Sequence, residues 1–561
     1  AYRRQRQMCI RDRFFKEEKR MKKKILYVLM VLAAGASFTS CDDFLDTLPD
    51  NRTTIDNEEK VKSILTSAYP DRTYALVTEL MSDNSDNYGE SNPNTDRFVD
   101  QVYAWEDVTE GNNDSPEDYW EASYNAIANA NLALDGIEEM GGATTTSLKE
   151  EKAEALLCRA YNHFILVNLF SKAYNSQTST KDAGIPYISK TSSELMAQTP
   201  RGTVAETYEK IDKDIQEALP LVGDSHLEVP KYHFNTRAAY AFATRFYLYY
   251  EKWDKAVEYA TKCLGSQPKT MLRDWKAIAG MTQTYDAVTN QYIDAGVNCN
   301  LMLNTAVSSL GLAFGPYRVY SKYAHGSYVA SHEDGKAGNI WGSASFYSDM
   351  KSYTATNLDK TIFWKMPYKF EFSDPVAQIG YRRTVITTFT TDECLLNRAE
   401  AYIMLKKYDE AAADLTLWMQ NMVNTNKVLT PENITEFYKD IPYSYTVTED
   451  DPKGINSTIK KHLNPAFSID AEGSTQECML QCMLNFRRIE TMEGGLRWFD
   501  IKRYGIEIIR RTMSANGLPA VKTDVLTKDD ERRAIQIPPK VRDAGCPANP
   551  RKATTATTPT E

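Results

Sequence analysis

Apolar residues recur every three to four positions over much of the first half of the sequence, the spacing that places them on one face of an α-helix. In one such segment Trp120, Tyr124 and Ile127 follow this spacing. Another opens with Thr203 three residues before Glu206, the pattern of a capping box at a helix start. The pattern predicts long helices over residues 118–140, 148–170 and 203–219.

Two later segments resemble each other, residues 241–264 and 396–419. Each has a helical pattern, a short turn, an aromatic residue followed by Asp, and a second helical pattern. Their registers differ by 155, which aligns Tyr247 with Tyr402. Small alanines that let two helices approach closely are typical of tetratricopeptide-like helix pairs. We therefore predict a mostly α-helical repeat scaffold.

Residues 266–390 lie between the two repeats and show no long helical periodicity. They are rich in Gly, Asn, Ser and Tyr, and long irregular segments carried by a rigid scaffold are often functional. Several of their aromatic residues stand in polar surroundings, so we expect these rings to be exposed and to bind ligand. They are Trp275, Tyr317, Tyr320, Tyr323, Tyr328, Trp341 and Trp364.

The N-terminal region has the features of an export signal. A basic stretch at residues 21–24 precedes an apolar run over residues 25–36, which is too short to span a bilayer. The small residues that follow lead to Cys41 and resemble a bacterial lipoprotein box, in which that cysteine is acylated. The alternative is an ordinary secretory signal. Residues 1–20 do not fit either scheme, and we interpret them as an artefactual extension.

The predicted organisation follows from these boundaries. An artefactual extension (1–20) precedes a signal peptide (21–40) and an N-terminal helical part (41–265). An irregular ligand-binding insert (266–390), a C-terminal helical part (391–546) and a disordered low-complexity tail (547–561) follow.

Charge argues against some partners. The formal net charge is −10, but residues 1–40 carry +8 and the remainder −18. A body this acidic does not favour binding to nucleic acid or to an anionic bilayer through charge.

The sequence offers little support for catalysis. Glu490, Glu493 and Asp500 lie close together, as a glycosidase pair would. Neighbouring cations such as Arg488 and Arg497 are expected to keep them ionised, so we predict ion pairing rather than catalysis. No nucleophile elbow, zinc-protease or phosphate-loop motif occurs.

We expect no resident metal or cofactor either. The seven cysteines after Cys41 include no Cys-x-x-Cys pair, and the histidines show no ligand spacing. A weak calcium site in the acid- and amide-rich residues 82–96 stays open, as does the disulfide state of the cysteines.

A series of short motifs follows one another along the chain. They lie at residues 43–46, 159–161, 184–186, 201–204, 236–239, 397–402 and 535–539, and the fullest block spans residues 488–503. In this order the motifs resemble the SusD/RagB family of surface lipoproteins in Bacteroidetes. The fullest block departs from the family pattern in two ways, with Arg487 where Glu is expected and with one extra Gly.

This resemblance implies a scaffold of about four tetratricopeptide-like helix pairs with an irregular insert. It also implies a non-catalytic protein at the outer-membrane surface that captures oligosaccharides and delivers them to a SusC-type TonB-dependent transporter. RagB-like members carry peptides instead, and a helical-repeat glycan hydrolase is a further alternative. Family members often use the N-terminal region for binding, which adds Trp105 to the candidate rings.

We predict that Cys41→Ala abolishes membrane retention and leaves the fold intact, because two or more acyl chains at this residue would carry the attachment. Cell fractionation of wild type and variant measures this. Variant protein found wholly in the membrane pellet would rule out the lipoprotein interpretation.

Overall fold

Long helices form the first part of the chain in the computed structural model, which describes residues 55–551 apart from 90, 91, 93, 192–198, 319, 356 and 357. Backbone contacts place everything from Asp56 onward in one unit. Its first elements are α1 Glu58–Leu65, α2 Ala75–Met81, β1 Asp86–Asn87, α3 Arg97–Tyr103, α4 Pro116–Glu139, α5 Thr146–Phe170 and α6 Val204–Ala218.

The three helices predicted from periodicity are confirmed as α4, α5 and α6. Local signals fix their starts. The Ser115 side chain accepts a hydrogen bond from the Asp118 amide at the start of α4. At the start of α6, Thr203 and Glu206 form the expected capping box, in which each side chain accepts from the other residue's amide.

The two similar segments fold as helix pairs, α7 Thr236–Tyr249 with α8 Trp253–Leu264 and α13 Thr391–Met404 with α14 Tyr408–Met422. Their turns are the same. Glu251 and Lys406, which occupy equivalent positions in the two segments, both have φ of 59°. The amide of the residue that follows each one donates to the carbonyl of the aligned tyrosine, Tyr247 O at 2.8 Å and Tyr402 O at 2.9 Å. The predicted register is confirmed.

The insert contains more regular structure than its sequence pattern predicts. Its elements are α9 Trp275–Ala279, α10 Tyr285–Tyr292, β2 Asn300–Val307, α11 Leu310–Phe314, β3 Tyr323–Ala324, α12 Ser327–His332, β4 Lys351–Ala355, β5 Leu358–Ile362, β6 Lys369–Asp374 and β7 Ile379–Thr390. The antiparallel sheet β2-β7-β6 has β6 at its edge. Strand β7 ends at Thr390, whose side chain caps α13 by accepting from the Glu393 amide.

The C-terminal part adds α15 Pro431–Lys439, α16 Thr475–Glu490, α17 Arg497–Arg503, β8 Ile508–Met513, β9 Pro519–Leu526 and α18 Pro539–Asp543. A second sheet, in the order β3-β1-β8-β9, combines strands from the N-terminal part, the insert and the C-terminal part. It therefore joins segments from near the two ends of the chain, as in the pairing of Asn87 with Thr512.

Buried ion pairs connect the same three parts of the chain. Glu333 in the insert accepts from Lys461 at 2.6 Å and from Arg488 and Arg511 at 2.9 Å each. All four side chains are buried. Burial alone would raise the pKa of Glu333, but the three cations hold it well below its ordinary value.

The same network includes the acidic stretch that the sequence left open as a calcium site. Asp83 receives both Nε and Nη2 of Arg497, at 2.8 and 2.9 Å, and Asp86 receives Arg511 at 2.9 Å. Arginines thus occupy these carboxylates. Within the described part of the chain, no group of three or more His, Cys, Asp or Glu is arranged to hold a metal ion.

The predicted ion pairing of the 488–503 block is confirmed for Asp500, which Arg487 contacts through Nε at 2.9 Å and Nη2 at 2.5 Å. Arg503 also pairs with Asp500, at 3.6 Å, and lies closer to Glu400, at 2.6 Å. The partners of Glu490 and Glu493 are different and belong to the site described below.

The tail predicted to be disordered from residue 547 is ordered at its beginning. Asn549 is buried, and its amide donates to Phe170 O and Ile535 O at 2.8 and 2.7 Å. The Arg201 guanidinium donates to Pro547 O at 2.9 Å. The prediction was wrong over these residues because buried polar contacts hold the chain, which its low-complexity composition does not indicate.

We predict that Glu333→Gln lowers the free energy of unfolding by about 3–5 kcal/mol, because it leaves three buried cations with an uncharged partner. Chemical denaturation measures this. Glu436→Gln, at an exposed residue of α15, is the control and should change stability by less than about 0.5 kcal/mol. Equal stability of the two variants would show that the network contributes nothing.

Candidate functional site

The eight aromatic residues predicted to bind ligand divide into exposed and buried groups. Tyr317 and Tyr320 are 52% and 44% exposed, and Trp364 is half-buried. The other five are buried and are therefore not available for stacking with a ligand. They are Trp105, Trp275, Tyr323, Tyr328 and Trp341.

Three of these buried rings are tryptophans packed between elements. The ring of Trp275 stacks on Phe363 with centroids 5.3 Å apart. Trp341 packs on Phe346 and Phe486 at 5.6 and 5.7 Å. Polar neighbours in sequence therefore did not indicate exposure, since the rings turn inward.

Trp105 is fixed by its indole N–H, which donates to Met81 O at 2.8 Å, and by the Arg510 guanidinium 4.1 Å above its ring. It closes the interior beside α2.

The two buried tyrosines are fixed by contacts with charged residues. Tyr323 stacks on Tyr103 at 4.0 Å and donates its hydroxyl to Asp100 at 2.6 Å. The Arg511 guanidinium lies 4.7 Å from the ring of Tyr328. Both rings belong to the interior around the second sheet.

The exposed aromatic residues continue onto the edge strand β6. Tyr317 packs against Tyr368 at 5.3 Å, and Phe370 and Phe372 meet edge to face at 4.9 Å. Positions 368, 370 and 372 alternate, which places their side chains on one face of an extended strand. We call Tyr317, Trp364, Tyr368, Phe370 and Phe372 the aromatic strip.

Strand pairing explains why the strip stays open to solvent. Every residue of β6 is exposed, and among the described strands it pairs with β7 alone. Phe370 lies opposite Arg382 and Phe372 opposite Gly380. A Cβ on Gly380 would lie 2.9 Å from the Phe370 ring, so glycine leaves the space this ring occupies.

A buried lysine holds the loop that carries Tyr317. Lys360 in β5 donates to Ala313 O at 2.5 Å and to Arg318 O at 2.9 Å. Burial lowers its pKa to about 7. The Tyr285 hydroxyl donates to Met366 O and its ring contacts Tyr317 at 5.6 Å, so this loop and the Trp364 segment share one support.

The segment that carries Trp364 is fixed from beneath by Glu490 and Glu493. Glu493 accepts from the Phe363 amide at 3.2 Å, and Glu490 accepts from the Trp418 indole at 2.9 Å. Lys365 donates to Glu490 O at 2.7 Å and to Ile489 O at 2.9 Å. Both carboxylates are buried.

The expectation that neighbouring arginines keep these two carboxylates ionised is wrong. Burial, with the nearby charge of Asp392, raises the pKa of Glu490 to about 7. Burial raises the pKa of Glu493 to about 8. The two arginines do not keep these carboxylates ionised because their side chains point away from them. Arg488 pairs with Glu333 and Asp83, and Arg497 pairs with Asp83.

Charged residues of both signs lie near the strip. The Lys351 ammonium lies 5.4 Å from the Trp364 ring, and Arg382 shares the face of Phe370. Strand β6 has two acidic residues, of which Glu371 pairs with Arg383 on the opposite face and Asp374 ends the strand. Burial and the charge of Asp286 raise the pKa of Tyr317. The strip thus offers apolar ring surfaces beside hydrogen-bond donors.

Sequence reasoning missed Tyr368, Phe370 and Phe372. The signal was present as aromatic residues at every second position between polar ones. That period indicates a strand with one aromatic face, although the Gly-, Asn- and Ser-rich composition around it is typical of irregular chain.

The predicted lipidation site, Cys41, and the signal peptide lie outside the described residues. In the part of the chain that is described, no helix has both the length and the apolar character required to cross a bilayer.

Comparison with known proteins gives a consistent picture. Residues 43–248 match a family model for SusD-like proteins described as starch-binding and associating with the outer membrane. No curated protein sequence matches the chain.

Solved structures share the fold. A SusD superfamily protein from Bacteroides thetaiotaomicron has 18% identity and a TM-score of 0.58, with 89% of this chain and 100% of that chain covered. A SusD-like carbohydrate binding protein from Bacteroides vulgatus has 15% identity and a TM-score of 0.56, covering 90% and 100%. A sugar binding protein from the same species has 16% identity, a TM-score of 0.56, and coverage of 88% and 97%.

The resemblance that the motifs indicated is therefore confirmed. Residues 43–248 are similar to SusD-like proteins, and the chain as a whole shares the mostly α-helical, tetratricopeptide-like fold of the SusD superfamily structures.

We predict that Glu493→Gln gains stability relative to wild type as pH rises from about 5 to about 9. The folded-state pKa of Glu493 is about 8, above its unfolded value, so the folded protein retains a proton that the unfolded chain loses. Wild-type stability from this group is present at low pH and is lost as pH rises through about 8. The glutamine of the variant cannot ionise, so the variant does not lose stability through this group as pH rises.

Urea denaturation of both proteins across this pH range measures the difference, which should change by a few kcal/mol. The wild-type curve also contains the buried lysines, whose lowered pKa values act in the opposite direction above about pH 7. The comparison removes that contribution. A difference independent of pH would contradict the assignment.

Proposed function

We propose that this protein is a non-catalytic, lipid-anchored binding protein of the outer-membrane surface, which captures oligosaccharides and delivers them to a SusC-type TonB-dependent transporter. The observation that carries the proposal is the aromatic strip on the edge strand β6. The starch-binding description of the family and the carbohydrate-binding and sugar-binding structural relatives support the ligand class.

The strip suits sugar rings for a chemical reason. The C–H faces of a sugar stack on an aromatic face, while its hydroxyls hydrogen-bond to polar neighbours. Positions two apart in a strand are separated by about 6.6–6.8 Å, so Phe370 and Phe372 present successive apolar surfaces along an extended ligand. Each ring should contribute about 0.5–1.5 kcal/mol, which makes binding weak and distributed.

The positions of the carboxylates support binding rather than hydrolysis. A pKa raised to about 7 or 8 is a property of general acids, and Glu490 and Glu493 have it. Both nevertheless lie in the interior, where Trp418 and the Phe363 amide occupy their oxygens.

The location and partner follow from the same family. An acylated Cys41 would anchor the mature chain to the membrane, and the helical pairs α7–α8 and α13–α14 would serve as the rigid support that docks on the transporter. The outer-membrane description of the family model supports this arrangement.

Peptide cargo is the second candidate, because β6 is an edge strand. An edge strand has backbone groups that an extended peptide can pair with, while alternate side chains contact the aromatic rings. Binding of an oligosaccharide requires the rings but not this backbone edge.

The ligand for this test is an oligosaccharide from the polysaccharide that induces expression of this protein. We predict that Tyr317→Ala and Phe370→Ala each weaken its binding by roughly twofold to tenfold, and that the double variant weakens it further. Isothermal titration calorimetry measures the affinities. The control is Tyr232→Ala, which removes an exposed tyrosine away from the strip and should leave affinity unchanged.

Three outcomes are informative. Wild-type affinity in both strip variants would refute the site. Binding of extended peptides but not of glycans, with the same dependence on the strip, would favour the peptide candidate. New reducing ends released from the glycan would refute the non-catalytic assignment.

A further inference from the structure

A polar cavity is lined by residues that are distant in sequence from the aromatic strip. Its walls come from the chain after α5, from residues 464–466, from the end of α17 and from the loop before the turn Glu531–Arg533. Its volume is about 310 Å³, far more than the ~10–15 Å³ that one water molecule requires. It therefore has space for a small polyatomic ligand.

Two buried cations, Lys502 and Arg533, form part of the wall. Lys502 donates to Asn168 O at 2.5 Å and to Ser171 O at 2.7 Å, which leaves one of its three N–H groups. Among the described residues, neither cation has a carboxylate within ion-pair distance.

Arg533 also contacts carbonyl groups alone. It donates to Thr527 O at 2.7 Å, Ile501 O at 2.9 Å and Ile506 O at 2.5 Å. Other buried cations of this protein cap helix ends in a similar way, as Lys365 does at the end of α16. The difference here is that two such cations are neighbours at one cavity.

The remaining charges of the wall do not neutralise this pair. Lys172 is paired with Asp182 at 3.0 Å, Arg503 with Glu400, and Asp530 with Arg532 at 2.8 Å. The charges of Asp530, Glu507 and Asp529 act on Arg533, and no carboxylate pairs with Lys502 among the described residues. The residues that line the cavity comprise five cations and three carboxylates, so the wall carries a net positive charge when Lys502 is protonated.

Burial disfavours the charged forms of Lys502 and Arg533, and the pKa values of both groups are lowered. Burial, with the charge of Arg533, lowers the pKa of Lys502 to about 7. Burial lowers the pKa of Arg533 to about 10. A bound anion would favour the charged forms and raise both pKa values.

We propose that this cavity binds a small oxyanion, a sulfate or a carboxylate group, between Lys502 and Arg533. The group could be a free inorganic ion or the acidic substituent of a sugar. The site is independent of the aromatic strip, and its failure would leave the proposed function untouched.

The test is a titration of wild-type protein with sodium sulfate at constant ionic strength, maintained with sodium chloride, with the melting temperature as readout. Sulfate also stabilises proteins non-specifically, in proportion to its concentration. A specific site gives a saturable rise at low millimolar concentration that chloride does not give. The rise should be larger at about pH 6 than at about pH 9, where Lys502 is neutral.

Two variants and one control locate the effect. Lys502→Met should abolish the saturable response. Lys528→Gln, at an exposed residue of the cavity mouth, should weaken apparent affinity for sulfate roughly twofold to fivefold. Lys213→Gln, at an exposed lysine of α6, should bind sulfate as wild type does.

Calorimetry on the wild type provides a readout that does not depend on a variant folding. Sulfate binding near pH 7 to 8 should take up protons, because the anion raises the pKa of Lys502. Identical responses to sulfate and chloride, or sulfate binding without proton uptake, would overturn the proposal. Competition by glucuronate would assign the site to acidic sugars, and its absence to inorganic ions.

Discussion

The buried ion pairs around Glu333 are the interaction on which the rest of the structure depends. Taking a carboxylate and three cations out of water is unfavourable unless each finds its partner. The partners come from the N-terminal residues 83–86, from the insert and from the C-terminal helices and strands. A different packing of these segments would leave charges buried alone, so the network selects one arrangement of a chain whose helices could pack in several.

The aromatic strip depends on that arrangement at one remove. The chain around Trp364 is supported by Lys360, Lys365 and Glu493, whose partners are backbone groups of other segments. Both buried lysines fix the chain by donating to carbonyl groups, and Glu493 fixes it by accepting from an amide. The apolar rings are therefore supported by buried polar groups below them.

Sequence could predict the scaffold because its signals are local. Caps such as Thr203 with Glu206, and the repeat turn at Glu251 and Lys406, are encoded within a few residues of where they act. The second sheet could not be predicted in the same way, since β1 and β8 pair across most of the length of the chain. The prediction that the aromatic rings of the insert are exposed was wrong for four of them for a related reason. Whether Trp341 faces water is decided by Phe346 and Phe486, not by its flanking glycine and asparagine.

The junction of strand and helix at Thr390 bears on the ligand binding proposed for the strip. Strand β7 passes into α13 at this residue without a linker, and the Thr390 side chain caps the helix. Strand β7 of the β6–β7 hairpin thus continues directly into a scaffold helix. Rings held in this way would lose little conformational entropy if they bind ligand as proposed. The free energies of weak contacts with successive rings would then add along the strand, because binding would not have to order the β6–β7 hairpin.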